Sequence, residues 1–544
     1  MTMTVSELVG QSLMFRFEGP ELTARAREAF EETRPAGVLL FADNITSREQ
    51  IHALTAELQN EAKRLGMPPL LIAADQEGGI VSRLSADFVT VPSAMALAAS
   101  GRPDDILTAA TITAIQLREV GINVNFAPTI DVNNNPANPV IRTRAWGDTP
   151  GQVAENLEWV YRGHESARVV TTVKHFPGHG DTGVDSHLGL PTIPYDLDRI
   201  HAVELAPFRA AVELGVPAVM SAHILFPELD PEYPATLSRD ILTGLLRGRM
   251  GFTGLIFTDS MSMRAISDRY GLAESTILAK LAGVDVLEAN ESLADQGVRR
   301  DALIDALESG RIPREVFEAT LVRLDAVRAR YAITGEQPPL RAWPDNQWDS
   351  VFDIALRTVA HVGRKPFLPL ADDAGTVFID FQRIRTTEAE DPVGRAQVLR
   401  DAVRANLPAS TVVTLSNDPT EAEVEEAISR AVGAATLVIL TRDASDLPLQ
   451  AEIANRAIAA APEGARVIHC AMRGPYDAGS IAPVDDYLFP FGDPRISIEA
   501  LVAILVGVQH PDAGMPVEVP GLGELEARAI ARSPSRGRIG QQRA

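Results

Sequence analysis

The chain has 544 residues, too many for one ordinary domain, and its 45% apolar content lets each of two or three domains bury a core. Its 50 Lys and Arg against 73 Asp and Glu give a formal charge of −23, which argues against a nucleic-acid backbone or an anionic membrane as partner. Cys470 is the only cysteine, so no intrachain disulfide forms. No basic segment followed by an apolar stretch opens the chain, and no uncharged apolar run reaches membrane-spanning length. The expectation is a soluble cytoplasmic protein.

Short apolar runs that end in polar or charged residues recur through the first 290 positions. In order they are SLMFRFEG (12–19), GVLLFADN (37–44), LLIAADQE (70–77), INVNFAPTID (122–131), VVTTVKH (169–175), AVMSAH (218–223), GLIFTDS (254–260) and VDVLEAN (284–290). Helical stretches separate them, among them SREQIHALTAELQNEAKRLG (47–66) and LDRIHAVELAPFRAAVELG (197–215). Continuous apolar strands alternating with helices predict a parallel sheet covered on both faces. Eight in this length predict a (β/α)8 TIM-type barrel over 1–334, with closing helices in 300–334. An open doubly wound sheet competes, but no G-x-G-x-x-G follows any of the strands.

A proline-rich linker, GEQPPLRAWPDN, follows at 335–346. Beyond it TVFIDF (376–381), STVVTLS (410–416), ATLVILTR (435–442), ARVIHCAMR (465–473) and DYLFPFG (486–492) predict a smaller C-terminal α/β layered domain over 347–526. The tail 527–544 has few large apolar groups and is expected to be disordered.

The densest chemistry lies in KHFPGHGDTGVDSH, residues 174–187, which carries Lys174, His175, His179, Asp181, Asp185 and His187 on a loop with Gly178, Gly180 and Gly183. The β-branched run RVVTTV (168–173) precedes it, so the loop leaves the C-terminal end of a buried strand, where barrel enzymes keep their catalytic groups. Asp259 ends the strand GLIFT in the same way. Two readings of Asp259 stand: a carboxylate nucleophile, or the N-cap of a helix within SMSMRAISDRY. Asp185 and His187 either form an acid/base dyad or satisfy loop backbone groups. The cluster also holds enough N and O donors for a metal-dependent hydrolase, although Lys174 adjoins it and no H-E-x-x-H spacing occurs.

These segments, together with DQEGGIVSRL (75–84), GINVNFAPTIDVNNNPANPVI (121–141), SAHILFPELD (221–230), PATLS (234–238) and GFTGLIFTDSMSM (251–263), resemble the β-N-acetylglucosaminidases of glycoside hydrolase family 3. The resemblance runs through almost the whole barrel region; RGPYDAG (473–479) is only loosely similar to the family's second domain. It implies a retaining exo-acting hydrolase that removes terminal N-acetylglucosamine from muropeptides or chito-oligosaccharides, with no cofactor or metal. Asp259 would be the nucleophile and His187, oriented by Asp185, the acid/base. Asp75, Arg83, Arg144, Lys174 and His175 would hold the sugar, His223 would stand behind them, and His179 and Asp181 would shape the loop. Ser260 stands where members commonly carry a second acid, which removes a negative charge beside Asp259. A histidine acid/base also admits phosphate in place of water, so phosphorolysis is the alternative.

Overall fold

The computed structural model describes residues 3–84, 87–183, 185, 189–341, 346–382 and 396–532, and divides the chain into two compact units. Met1–Ala94 and Arg102–Trp348 belong to the first unit. The described residues from Asp349 onward form the second, which also takes in Met95–Gly101.

Eight parallel strands build the first unit: β1 Leu13–Phe15, β2 Gly37–Leu40, β3 Leu71–Ala74, β4 Val124–Asn125, β5 Val170–Phe176, β6 Ala218–Ser221, β7 Leu255–Thr258 and β8 Leu287–Glu288. Their order around the sheet is β8-β1-β2-β3-β4-β5-β6-β7. A parallel bridge between Phe257 and Val286 joins the two ends into a barrel. All eight coincide with the apolar runs above. Alternation along each strand separates two cores. Leu39, Leu71, Ala73, Val124, Val170, Ala218, Leu255 and Phe257 point inward, where Leu324 and Val327 of the helix Arg314–Arg330 and Tyr331 just after it join them. Val38, Leu40, Ile72 and Ala74 face outward against Ile51, Leu54, Leu58 and Ala62 of the helix Arg48–Arg64. That helix follows from its sequence: Ser47 caps it by accepting from Gln50 N, its apolar residues recur every three or four positions, and Lys63 and Arg64 close its last turn.

The second unit is a six-stranded sheet of β9 Ala360–Gly363, β10 Thr376–Phe381, β11 Thr411–Leu415, β12 Thr436–Thr441, β13 Arg466–Ala471 and β14 Asp486–Phe489, in the order β9-β14-β13-β12-β10-β11. Five strands are parallel, and β9 runs antiparallel at the edge. Val377, Ile379 and Phe381 share a cluster with Val424, Ala427, Ile453 and Ala457 of two helices, while Phe378 between them is also buried. The sheet is therefore apolar on both faces, as a parallel sheet needs.

Three boundaries differ from the reading by sequence order. Met95, Ala96 and Ala99 join the second unit's apolar cluster, and Gly514 N donates to Ala99 O at 2.9 Å. Residues 335–341 of the expected linker are held on the first unit: His52 Nε2 meets Pro338 O at 2.7 Å and Gln337 Nε2 donates to Thr55 Oγ1 at 2.9 Å. The helix Leu522–Arg532 runs into the stretch expected to be a tail, because its amphipathic pattern buries Leu525 and Ala529. Residues 533–544 lie outside those described.

Candidate active site

Strand ends bring the charged groups together. Asp75 follows β3, Lys174 and His175 lie near the C-terminal end of β5, Asp259 follows β7 and Glu288 ends β8. All five line one cavity of about 390 Å³ with Glu77, Arg83, Arg144, His179 and Asn290. This is the C-terminal mouth of the barrel.

The floor is a chain of ion pairs. Lys174 Nζ lies 2.7 Å from Asp75 Oδ1 and 2.8 Å from Glu77 Oε1. Arg144 grips Glu77 with both Nε and Nη2, at 2.9 and 2.8 Å, and Arg83 reaches Asp75 at 3.4 Å. Both arginines are 5% exposed, so these are buried pairs and not surface ones. Burial alone would raise the Glu77 carboxyl, but Arg144 and Lys174 hold it well below the usual carboxylate range. Burial likewise works against the charge on Lys174, and Asp75 and Glu77 outweigh it.

A second cluster orders the loop. Asp131, at the end of the run that contains β4, accepts from His175 Nδ1 at 2.7 Å and from His179 N at 2.6 Å. Burial opposes charge on Asp131, but His175 and His179 together bring its pKa below the ordinary value. With Nδ1 turned to Asp131, the His175 ring directs Nε2 at Arg144 Nη2, 3.4 Å away. His179 Nδ1 meets Thr182 Oγ1 at 2.8 Å, and burial pulls this ring's pKa down to about 4. Asp181 pairs with Arg199 at 3.2 Å. His175, His179 and Asp181 are thus engaged with protein partners, and no group of three or more described His, Cys, Asp or Glu is placed to hold a metal ion.

Asp259 is half-buried, with Oδ1 accepting from Ser260 N at 2.7 Å and its own N bound to Ser221 O. The helix that follows is Arg264–Tyr270 and its N-cap is Met263, so the capping reading of Asp259 does not hold. His223 fixes this turn from behind: Nε2 reaches Ser260 O and Nδ1 reaches Thr236 Oγ1, each at 2.9 Å. Asp185 is buried, whereas His187 lies outside the described residues.

Glu77, Asp131 and Glu288 are absent from the sequence-based site. Each had a signal: Glu77 stands two positions beyond Asp75, Asp131 closes the fourth apolar run, and Glu288 follows Leu287 near the end of the eighth.

Residues 4–327 match the glycosyl hydrolase family 3 N terminal domain. The β-hexosaminidase A of Pseudoalteromonas piscicida is 28% identical over 95% of this chain and 97% of its own length. A β-hexosaminidase of Stenotrophomonas maltophilia is 34% identical over 53% of this chain and 85% of its own. Among solved structures, a family 3 β-N-acetylglucosaminidase from Paenibacillus sp. str. FPU-7 superposes with a TM-score of 0.90 at 34% identity, covering 95% of this chain and 99% of that one. The chain belongs to glycosyl hydrolase family 3 and is a glycoside hydrolase.

Proposed function

We propose that the chain is a retaining exo-β-N-acetylglucosaminidase whose nucleophile is Asp259. The observation that carries this reading is the convergence of Asp259 on one cavity with Asp75, Arg83, Lys174 and His175, a ring of hydrogen-bonding groups suited to a saccharide's hydroxyls. The β-N-acetylglucosaminidase from Paenibacillus, similar over nearly the whole chain, supports N-acetylglucosamine as the sugar.

Asp259 attacks the anomeric carbon from below while His187 gives its proton to the leaving oxygen, producing a glycosyl–Asp259 ester and a free aglycone alcohol. His187, now neutral, takes a proton from water as that water displaces Asp259, and N-acetylglucosamine leaves with its configuration retained. Asp185 orients the imidazole and favours its protonated form. Arg83, Arg144 and Lys174 donate to sugar oxygens, Asp75 accepts from hydroxyls and His175 completes the ring of contacts. The substrates are muropeptides from cell-wall turnover or chito-oligosaccharides.

A chromogenic N-acetyl-β-glucosaminide tests the reading. Turnover by the parent falls about 10⁴-fold or more in Asp259→Ala. An active Asp259→Ala enzyme overturns the assignment. Mass spectrometry of products from chitobiose shows free N-acetylglucosamine with or without phosphate; the sugar 1-phosphate in phosphate buffer would mean phosphorolysis instead.

A further inference from the structure

Among the described acids of the cavity, Glu288 alone has neither a task in the proposed chemistry nor a basic side chain holding it, as Arg144 and Lys174 hold Glu77. It ends β8, and its backbone is tied to the nucleophile's segment: Glu288 N donates to Thr258 Oγ1 at 2.9 Å, and Glu288 O accepts from Met261 N at 3.1 Å. Its position is therefore as fixed as that of Asp259. The residue is 3% exposed yet lines the sugar cavity. Oε2 receives only a long contact, 3.5 Å, from Asn290 Nδ2, and the buried Oε1 meets no hydrogen-bond partner among the described residues.

Its charged surroundings separate it from the other carboxylates. Asp75 and Glu77 share Lys174 and each has an arginine besides. Glu288 has no basic side chain in salt-bridge contact among the described residues. Asp75 after β3 and Asp259 after β7 act on it as like charges, with Lys174 of β5 opposing them. From β1, Arg16 is turned to Asp43 and the Phe41 ring, and Glu291 on the following turn is paired with Arg299. An ionised Glu288 would be a buried charge without a counter-ion, which folds at a high cost. Burial raises its carboxyl well above the ordinary value, and Asp75 and Asp259 push the same way.

We propose that Glu288 contacts the bound sugar as a neutral carboxylic acid, donating its proton in a hydrogen bond to a sugar hydroxyl oxygen. A carboxylic acid kept protonated in a dry site is an effective donor. It also spares Asp259 a neighbouring negative charge. The inference rests on the reading that a sugar fills this cavity and Asp259 attacks it.

Two variants of the full chain, Glu288→Gln and Glu288→Ala, test it. KM and kcat for the chromogenic N-acetyl-β-glucosaminide and the inhibition constant for free N-acetylglucosamine are followed from pH 5 to 9. Gln keeps a neutral donor, so Glu288→Gln stays within about 3-fold of the parent near pH 6. Glu288→Ala raises KM and the inhibition constant about 10-fold, the loss of one buried hydrogen bond. On the alkaline side the parent loses affinity for N-acetylglucosamine as Glu288 ionises, while Glu288→Gln does not. A Glu288→Ala enzyme with parental constants overturns the inference, and so does a Gln variant with the parent's pH dependence. If Glu288→Ala does not fold, the isosteric Gln comparison decides alone. An Asp259→Ala loss alongside parental Glu288 variants sinks Glu288 and leaves the nucleophile standing. A parent that turns over only an unsubstituted β-glucoside sinks the sugar assignment, and the same series with glucose then decides on Glu288.

Discussion

Glu77 shows how much of the pocket's charge balance rests on a residue that touches no reacting atom in the proposed chemistry. Removing its charge in Glu77→Gln leaves Arg144 buried beside a neutral amide and leaves Lys174 with Asp75 alone. Stripping one partner from a buried pair costs on the order of 3–5 kcal/mol. The midpoint of urea unfolding should drop accordingly at pH 7, and KM should rise because Arg144 and Lys174 lose their anchor. An unchanged midpoint would show that the pairs are not net stabilising. The sign with pH follows from the direction of the shift. A depressed carboxyl contributes stability above its ordinary pKa and loses it as pH falls, so parent and Glu77→Gln should converge in strong acid. Asp75, Arg83 and Lys174 were legible because each sits at a strand end or within a distinctive motif. Glu77 carried only its closeness to Asp75 as a signal, since its role depends on Arg144, 67 positions away, which only the closed barrel brings within reach.

At the scale of elements, the loop after β5 is held by close approach of backbone, and its glycines differ sharply. A Cβ on Gly180 would lie 1.7 Å from Val132 O, inside any tolerable contact, whereas one on Gly183 meets nothing within 4 Å. Gly180→Ala therefore displaces the segment that carries His175 and His179, and kcat/KM should fall about 100-fold, the order expected for a displacement near 1 Å. Gly183→Ala should stay within about 3-fold. Equal activities for the two would mean that the turn at Gly180 does not position the site. The motif announced a loop, but not which glycine it depends on, because the opposing carbonyl comes from another strand's connection. The helical stretch 197–215 resolves similarly into Leu197–Ala202 and Ala206–Leu214, with Pro207 in the first turn of the second helix, the place a helix tolerates proline. The edge strand β9 escaped notice because AHVG is short and carries a polar residue. Eight barrel strands were readable for the opposite reason: each lies in a mostly apolar run that ends in polar or charged groups.

Across the whole molecule, buried histidines set the response to acid. Burial pulls His164 down to about 4 in the first unit and His469 down to about 3 in the second, with His179 near 4 beside the cavity. His164 meets Thr171 Oγ1 at 3.1 Å, and His469 meets Thr441 Oγ1 at 2.8 Å. The unfolded chain binds protons at these rings near pH 6.5 and the folded chain does not until far lower, so stability falls as pH drops through that interval. Each ring contributes on the order of 3 kcal/mol to that loss. Glu288 works in the opposite sense, because a carboxyl raised by folding binds its proton more tightly in the native state. The net slope is thus a difference, and a single residue has to be isolated to read it. His469→Gln keeps a polar contact to Thr441 but cannot take up a proton. Its thermal midpoint between pH 7 and 4.5 should fall less steeply than the parent's in the transition that belongs to the second unit. Parallel curves for the two proteins would show that His469 takes up its proton in the native fold at the same pH as in the unfolded chain, and the apolar surroundings of β13 would then need another partner for the charged ring to explain it.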